Sequence, residues 1–293
     1  MKNYLYYIYW YYRTIPLRWD FPKYNVMTVQ ETIDDVVNNK KNIARFGDGE
    51  FLLLIGERDI FFQKLSTKLS ARLFEVVNSH LPNLVIGLPY PFISRKNLKR
   101  EAKIHWLNLI NQQGNDIARQ INNSDQKYGD AFISRFYMDF IGKKKIVNTV
   151  EKLKDIWVNQ NVLFIEGEYS RLGIGNDFFS NAKSVQRIIC PSKNAFEKYD
   201  EIFSAAKKYG QEKLCILALG PTATVLAYDL AKENIWALDL GHIDIEYSWF
   251  KMNAKNKIPI HGKKAAEVHG NEDFGLNDSE RKLYDQSVLF KIK

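Results

Sequence analysis

Five short stretches of this chain carry residue types suited to acid–base, phosphate or metal chemistry. Gly47-Asp48-Gly49-Glu50 sets two carboxylates two residues apart between glycines, directly after Ile43-Ala44-Arg45-Phe46, which reads as a strand. Such a pair can aim oxygen ligands at one hard cation, Mg²⁺ or Mn²⁺, of the kind commonly shared with a bound phosphate; the plain alternative is that Asp48 caps a helix beginning near Phe51. Glu166 to Asp177 follows Asn161–Ile165 and places Glu166, Glu168, Arg171, Asn176 and Asp177 around Gly173 and Gly175. Glycines there allow a tight turn and close backbone approach to a ligand, although an ordinary strand-to-helix turn has the same signature. Gly241-His242-Ile243-Asp244-Ile245-Glu246-Tyr247 offers an imidazole as a metal ligand and two carboxylates as general bases. Cys190-Pro191-Ser192-Lys193-Asn194 brings hydroxyl, amide and ammonium groups together. In Gly220-Pro221-Thr222-Ala223-Thr224, proline at the first helical position exposes N-terminal N–H groups to an anion such as a diphosphate.

The elements that must hold these stretches follow a βαβ rhythm. Strands at Val162–Ile165, Arg187–Cys190, Leu214–Leu219 and Ile235–Leu240 are separated by helical stretches near Ala195–Lys208 and Thr222–Lys232. Upstream, Thr28-Val29-Gln30-Glu31 has capping-box spacing, Ile43–Phe46 and Leu84–Leu88 read as strands, and a helix carries Leu65, Leu69, Leu73, Val76 and Val77. Ala131–Tyr137 reads as a further strand and Ile146–Val158 as a helix, while Arg95, Lys96, Lys99, Arg100 and Lys103 have the spacing of one helical face. The pattern predicts an α/β, Rossmann-like domain with a mostly parallel sheet flanked by helices and ligands outside the strands' carboxyl ends. It divides the chain into an aromatic N-terminal extension (1–27), a catalytic domain (28–250) and a loosely packed C-terminal extension or lid (251–293).

The chain has 293 residues, enough for one large core, and its formal charge of +8 suits anionic partners. No recognition helix, zinc finger or RNA-binding signature accompanies that charge, which argues against nucleic acid. Cys190 and Cys215 lie in apolar runs and read as core thiols of a reducing compartment. The absence of a ~20-residue apolar span or a signal-peptide cleavage site predicts a cytoplasmic protein. The opening Met1–Arg13 is dense in tyrosine, with basic residues at both ends. It fits either peripheral contact with the inner face of the membrane or docking on the protein's own core or a second subunit in a homo-oligomer. His80, His105, His261 and His269 have no comparable neighbours in sequence and read as structural or surface residues.

With Arg45-Phe46-Gly47-Asp48-Gly49-Glu50, Glu166-Gly167-Glu168 through Gly173-x-Gly175-Asn176-Asp177, Cys190-Pro191-Ser192, Gly220 to Thr224 and Gly241 to Tyr247 in this order, the chain resembles the GT-D-fold bacterial glycosyltransferases, formerly a domain of unknown function. The resemblance covers roughly Thr28 to Phe250. It implies transfer of glucose or a related hexose from a UDP-sugar to a bacterial surface glycan, lipid-linked oligosaccharide, polysaccharide precursor or glycoprotein acceptor, with Asp48-Gly49-Glu50 matching the family's Asp-x-Glu metal motif.

On that footing the expected site has three parts. Asp48, Glu50 and His242 hold Mn²⁺ or Mg²⁺; Arg45, Arg171, Gly173, Gly175, Asn176, Ser192, Gly220, Pro221 and Thr222 bind the donor and its phosphates; and one of Glu166, Glu168, Asp177, Asp244 and Glu246 deprotonates the acceptor or binds sugar hydroxyls. Two other readings stay open. A dehydrogenase-type Rossmann enzyme calls for Gly-x-Gly-x-x-Gly, but Gly175 is followed by Asn176-Asp177-Phe178. A non-catalytic membrane-surface scaffold would use the aromatic N-terminus and the basic stretch Arg95–Lys103 instead.

Overall fold

The computed structural model describes residues 2–13, 15, 21–122, 125–142, 146–265, 268 and 275–293. In chain order the elements are α1 (Lys2–Arg13), β1 (Asn25–Val26), α2 (Val29–Asn38), β2 (Asn42–Arg45), α3 (Asp48–Leu54), α4 (Thr67–Val77), β3 (Leu84–Leu88), α5 (Arg100–Gln120), β4 (Lys127–Asp130) and α6 (Ile146–Asp155). There follow β5 (Asn161–Gly167), β6 (Ser184–Cys190), α7 (Tyr199–Gly210), β7 (Leu214–Ala218), α8 (Pro221–Lys232), β8 (Ala237–Asp239), α9 (Ile243–Lys251), α10 (Asp278–Ser287) and β9 (Val288–Lys291). The described strands form one parallel sheet in the order β1-β4-β3-β2-β8-β7-β5-β6-β9.

Both faces of that sheet are covered. Successive side chains of a strand point to opposite faces, so Leu163 and Ile165 join one core with α3, α4, α5, α7 and α8, while Val162 and Phe164 join a second core with α2, α6 and α9. Burial on both sides explains why the central strands read as continuous apolar runs rather than alternating ones. Each fully buried Leu, Ile or Phe contributes about 1.5–3 kcal/mol relative to an exposed one.

From β2 the chain runs outward to β3, whereas from β8 it crosses to the opposite edge at β9. The connections leaving these two neighbours diverge, so a crevice opens at their carboxyl ends, the usual ligand position in such sheets. The Thr28 capping box forms as the sequence predicts: Thr28 Oγ1 accepts from Glu31 N–H at 3.2 Å, and Glu31 accepts from Thr28 N–H at 2.8 Å. Cys190 and Cys215 are free and buried in the first core.

Several local expectations need correction. The strand expected at Ala131–Tyr137 lies earlier, at β4, because Asp130 accepts from the Phe132 N–H at 2.8 Å and turns residues Ala131–Ser134 into a 3₁₀ helix. The basic residues Arg95, Lys96 and Lys99 do not share a helical face with Arg100 and Lys103. Helix α5 begins only at Arg100, and residues 97–99 hydrogen-bond across to 139–141, through Lys99 N–H to Asp139 O and Ile141 N–H to Asn97 O. The C-terminal segment is built into the sheet: a capping box formed by Asn277 and Glu280 starts α10, and β9 then pairs with β6. At the other end β1, ahead of Thr28, pairs with β4.

Candidate active site

At the carboxyl ends of β2, β8, β7, β5 and β6 lies a cleft of about 370 Å³. Its floor is Arg45 and Asp239, the last residues of β2 and β8. The Arg45 guanidinium meets Asp239 Oδ1 at 2.9 Å, the Arg45 N–H reaches Asp239 Oδ2 at 3.1 Å, and the Thr224 hydroxyl donates to Arg45 O at 3.0 Å. Burial pushes the Asp239 carboxyl up, against the pull of Arg45.

Asp48 and Glu50 stand beside this pair on the first turn of α3 and line the cleft together. Glu50 Oε2 accepts from the Gly47 N–H at 2.8 Å, which leaves Oε1 for another partner. Burial, with the charge of Asp239 behind it, pushes the Glu50 carboxyl up to about 7. Asp48 is half-exposed and accepts from His105 Nε2 at 3.0 Å. Desolvation opposes its ionisation, yet the hydrogen bond and charge of His105, with Arg135 beyond, hold Asp48 below the usual carboxylate range. That hydrogen bond outweighs desolvation at the imidazole and raises His105. His105 is thus no isolated surface histidine: α5 delivers it to Asp48 from a position far away in sequence, which no local pattern reveals.

The donor chemistry fits a divalent ion shared with a substrate. Two adjacent carboxylates supply part of an octahedral oxygen shell, which is how Mg²⁺ is usually held beside phosphates. Among the described residues no three His, Cys, Asp or Glu side chains converge on one point. His242 precedes the first turn of α9 without a side-chain capping bond and lines the cleft, with its ring 5.5 Å from that of Trp249.

On the far wall, β7 gives way to α8 at Gly220, whose φ of +55° favours glycine. Gly220 and Pro221 line the cleft, but Pro221 has no N–H, the Ala223 N–H turns back to Gly220 O at 2.9 Å, and Thr222, expected among the phosphate contacts, is fully buried and does not line the cleft. Ser192 lines the cleft, and Gly167 packs so closely below it that a Cβ there would lie 3.3 Å from Ser192 Cα.

The other expected residues take different places. Arg171, Gly173, Gly175 and Asn176 form a turn braced from behind: Arg171 donates to Gly262 O at 2.7 Å, and both the Gly173 N–H and Asn176 Nδ2 reach Asp244 Oδ1 at 2.9 Å. The cleft wall comes instead from Gly167, Tyr169, Ser170 and Leu172. Glu166 is fully buried, ion-paired with Arg187, and accepts the Leu172 N–H at 2.7 Å; burial raises it despite Arg187. Glu246 is equally buried and accepts the Tyr137 and Met138 N–H groups at 2.9 and 2.8 Å, and burial pushes it up to about 7. Asp177 bonds the Tyr247 hydroxyl at 2.7 Å on the surface, and Glu168 is exposed. Of these five carboxylates only Asp244 lines the cleft, paired with the buried Lys263.

Cleft residues that sequence reasoning missed include Asp239, Arg135, Phe61, Phe62 and Lys264. Asp239 had a usable signal, being the one charge in the apolar run Ile235–Leu240. Phe61 is half-exposed at the cleft, with Lys193 Nζ 4.8 Å and Lys264 Nζ 5.5 Å from its ring centroid.

Comparison with known proteins supplies the remaining context. The family described as the glycosyltransferase GT-D fold matches residues 43–268. The chain is 37% identical over 268 residues, 91% of its length, to "Glycosyltransferase GlyD" of Streptococcus pneumoniae. It is 36% identical over 269 residues, 92% of its length, to "Probable glycosyl transferase Gly" of Streptococcus gordonii. It spans only 32% and 39% of those two proteins. Among solved structures, one described as "The highly conserved domain of unknown function 1792 has a distinct glycosyltransferase fold" superposes with a TM-score of 0.88 at 32% identity, covering 97% of this chain and 100% of that one. "A New Glycosyltransferase (DUF1792) from Streptococcus sanguinis" superposes with a TM-score of 0.85 at 36% identity, covering 92% and 100%.

Proposed function

The chain belongs to the family of the glycosyltransferase GT-D fold, and from that premise we propose that it transfers a hexose from a UDP-sugar to a bacterial glycan, lipid-linked or glycoprotein acceptor. The observation that carries this reading is the meeting of Asp48 and Glu50 with Arg45, Arg135 and the start of α8 in one cleft at the strands' carboxyl ends. Adjacent carboxylates facing cations and a helix N-terminus suit a metal–diphosphate group.

Asp48 and Glu50 would hold Mn²⁺ or Mg²⁺, which supplies an electrophile for the charge gathering on the departing diphosphate. Arg135 binds the phosphates and stabilises the same charge. Arg45 is held in place by its ion pair with Asp239, so the floor is a fixed pair of opposite charges. Asp244, locked by Lys263, Gly173 and Asn176, accepts hydrogen bonds from sugar hydroxyls. The exposed face of Phe61 offers a stacking surface for the uracil ring. The acceptor oxygen forms its bond to the anomeric carbon as the bond to the diphosphate oxygen breaks, and the hydroxyl proton passes to a carboxylate of the cleft or to water.

The test is direct. Purified protein with Mn²⁺ should release UDP from UDP-glucose or a related UDP-hexose even without an acceptor, and EDTA should stop it. Full turnover in EDTA would remove the metal role, and absence of turnover and of UDP binding would remove the donor assignment.

A second reading concerns placement. Tyr4, Leu5, Tyr6 and Tyr12 on α1 are each more than half exposed, while Arg100 sits 5.6 Å from the Tyr4 ring centroid. Tyrosines flanked by cations favour a membrane–water interface, and among the described residues no helix is long and apolar enough to cross a membrane. We infer that α1 rests on an anionic bilayer; sedimentation with phosphatidylserine vesicles that survives Tyr4→Ser, Tyr6→Ser and Tyr12→Ser combined would overturn this.

A further inference from the structure

A second cavity, of about 440 Å³, opens on the other side of Asp48. Asp48 and Arg135 line both this cavity and the donor cleft. A ligand in one therefore lies within reach of a ligand in the other at that shared edge, where the donor's reacting carbon must sit if its diphosphate is held by Asp48 and Glu50. We propose that the second cavity is the acceptor subsite and that it takes a saccharide carrying a phosphate group. The proposal rests on the donor reading above and extends it to the other substrate.

The chemistry of the walls carries the class of ligand. One wall is the first turns of α5, with Glu101, Ala102, His105 and Trp106; the other is the segment after α9, with Lys255, Asn256 and Lys257. Asp139 is matched by Lys257 at 3.4 Å, and Asp48 is turned toward His105 and the donor cleft. Lys99, which donates to Lys255 O at 3.1 Å, then joins Lys255 against the single carboxylate of Glu101. That leaves an excess of positive charge for a phosphate. Glu101 and the Asn256 amide are partners for sugar hydroxyls, and Trp106 and Phe132 give the cavity an apolar base. A neutral sugar would leave the lysines unmatched, and a bare phosphate would leave most of the volume unfilled; pockets of this size suit a small organic ligand.

The donor cleft must be blocked for the test to be specific. Protein saturated with UDP and Mn²⁺ is titrated calorimetrically with glucose 1-phosphate, with glucose and with inorganic phosphate. The subsite predicts one equivalent of glucose 1-phosphate bound at least tenfold more tightly than either glucose or phosphate. Lys255→Glu, at an exposed position outside the donor cleft, should weaken that binding at least tenfold, and Ala102→Trp should abolish it by filling the cavity; neither should alter the UDP titration. Lys255→Glu keeps the test sound if Ala102→Trp fails to fold. The assignment is overturned if the UDP-saturated protein binds no glucose 1-phosphate, if inorganic phosphate binds equally well, or if both variants bind it as wild type does. Failure of UDP itself to bind would be a separate result, removing the donor reading and with it the acceptor reading built on it.

Discussion

The Arg45 guanidinium and the Asp239 carboxylate, terminal residues of adjacent parallel strands, form a 2.9 Å ion pair on the cleft floor with side chains only 14% and 4% exposed. A second ring of bonds locks the pair: the Arg45 backbone N–H and the Thr224 hydroxyl both reach Asp239 Oδ2, at 3.1 and 3.3 Å. Because β8 follows β2 by nearly two hundred residues, this contact ties the two halves of the chain together at the site itself. Removing one partner of a buried pair strands the other's charge and costs about 3–5 kcal/mol. Asp239→Ala should therefore lower the unfolding free energy by that amount in urea denaturation. Asp239→Asn strands the Arg45 charge too but keeps an acceptor for the Arg45 N–H, so it should recover only the roughly 1 kcal/mol of that hydrogen bond. A loss for Asp239→Asn less than half that of Asp239→Ala would show that the hydrogen bonds to Asp239, not the charge pair, carry the contact.

Glu50 has both a structural and a chemical task, and substitution separates them. Its Oε2 caps the Gly47 N–H at 2.8 Å, a bond that an amide oxygen can replace. Glu50→Gln should thus retain the fold by circular dichroism while UDP release from UDP-glucose falls about 10²-fold or more, in line with loss of one electrostatic contact to the developing charge. Asp48→Asn should show a comparable loss together with a raised Mn²⁺ requirement. Variants that turn over normally at ordinary Mn²⁺ concentrations would detach the Asp-x-Glu motif from catalysis.

The sheet was legible because both faces are buried: Leu163 with Ile165 and Val162 with Phe164 make one unbroken apolar run whichever core each faces. The strand-end positions of Asp48, Glu50, Ser192, Gly220 and His242 followed from the same βαβ rhythm. Side-chain direction did not follow. Glu166 and Glu246 sit in motifs rich in polar residues, yet one answers Arg187 and the other two backbone amides, partners supplied by elements distant in sequence. His105 and Arg135 escaped notice for the same reason, since only the packing of α5 and of the turn after β4 brings them to Asp48. Local composition reports that a strand ends in polar groups; which of them face a ligand is decided by long-range contacts.

Asp130 gives a pH signature of stability. It is buried at the end of β4, its carboxylate accepts from the Phe132 N–H at 2.8 Å, and burial pushes it up from 3.8 to about 7. A carboxyl whose folded value is raised binds its proton more tightly in the folded state. Its contribution is therefore fully present below the unfolded value near 4 and is lost as pH rises through about 7, at roughly 1.4 kcal/mol per unit of displacement. Asp130→Asn keeps the acceptor for Phe132 and removes the titration. Urea midpoints of wild type should fall more steeply from pH 4.5 to pH 7.5 than those of the variant. Parallel curves would mean that Asp130 stays ionised in the fold.

Phe61 tests the base end of the donor. Its ring is 49% exposed, stands edge-on to Phe62 at a centroid distance of 4.9 Å, and is flanked by the ammonium groups of Lys193 and Lys264. An exposed aromatic ring costs hydration free energy unless something covers it, and lysines at its edges suit a nucleotide whose base stacks while its phosphates lie farther in. Stacking of a base on an aromatic side chain contributes about 1–3 kcal/mol, so Phe61→Ala should weaken UDP binding roughly tenfold or more in calorimetry with Mn²⁺ present. Pyrophosphate, which has no base, should bind the variant and wild type alike. Equal weakening of UDP and pyrophosphate would place Phe61 at the phosphates or in the local packing, and no weakening of either would move the uracil elsewhere in the cleft.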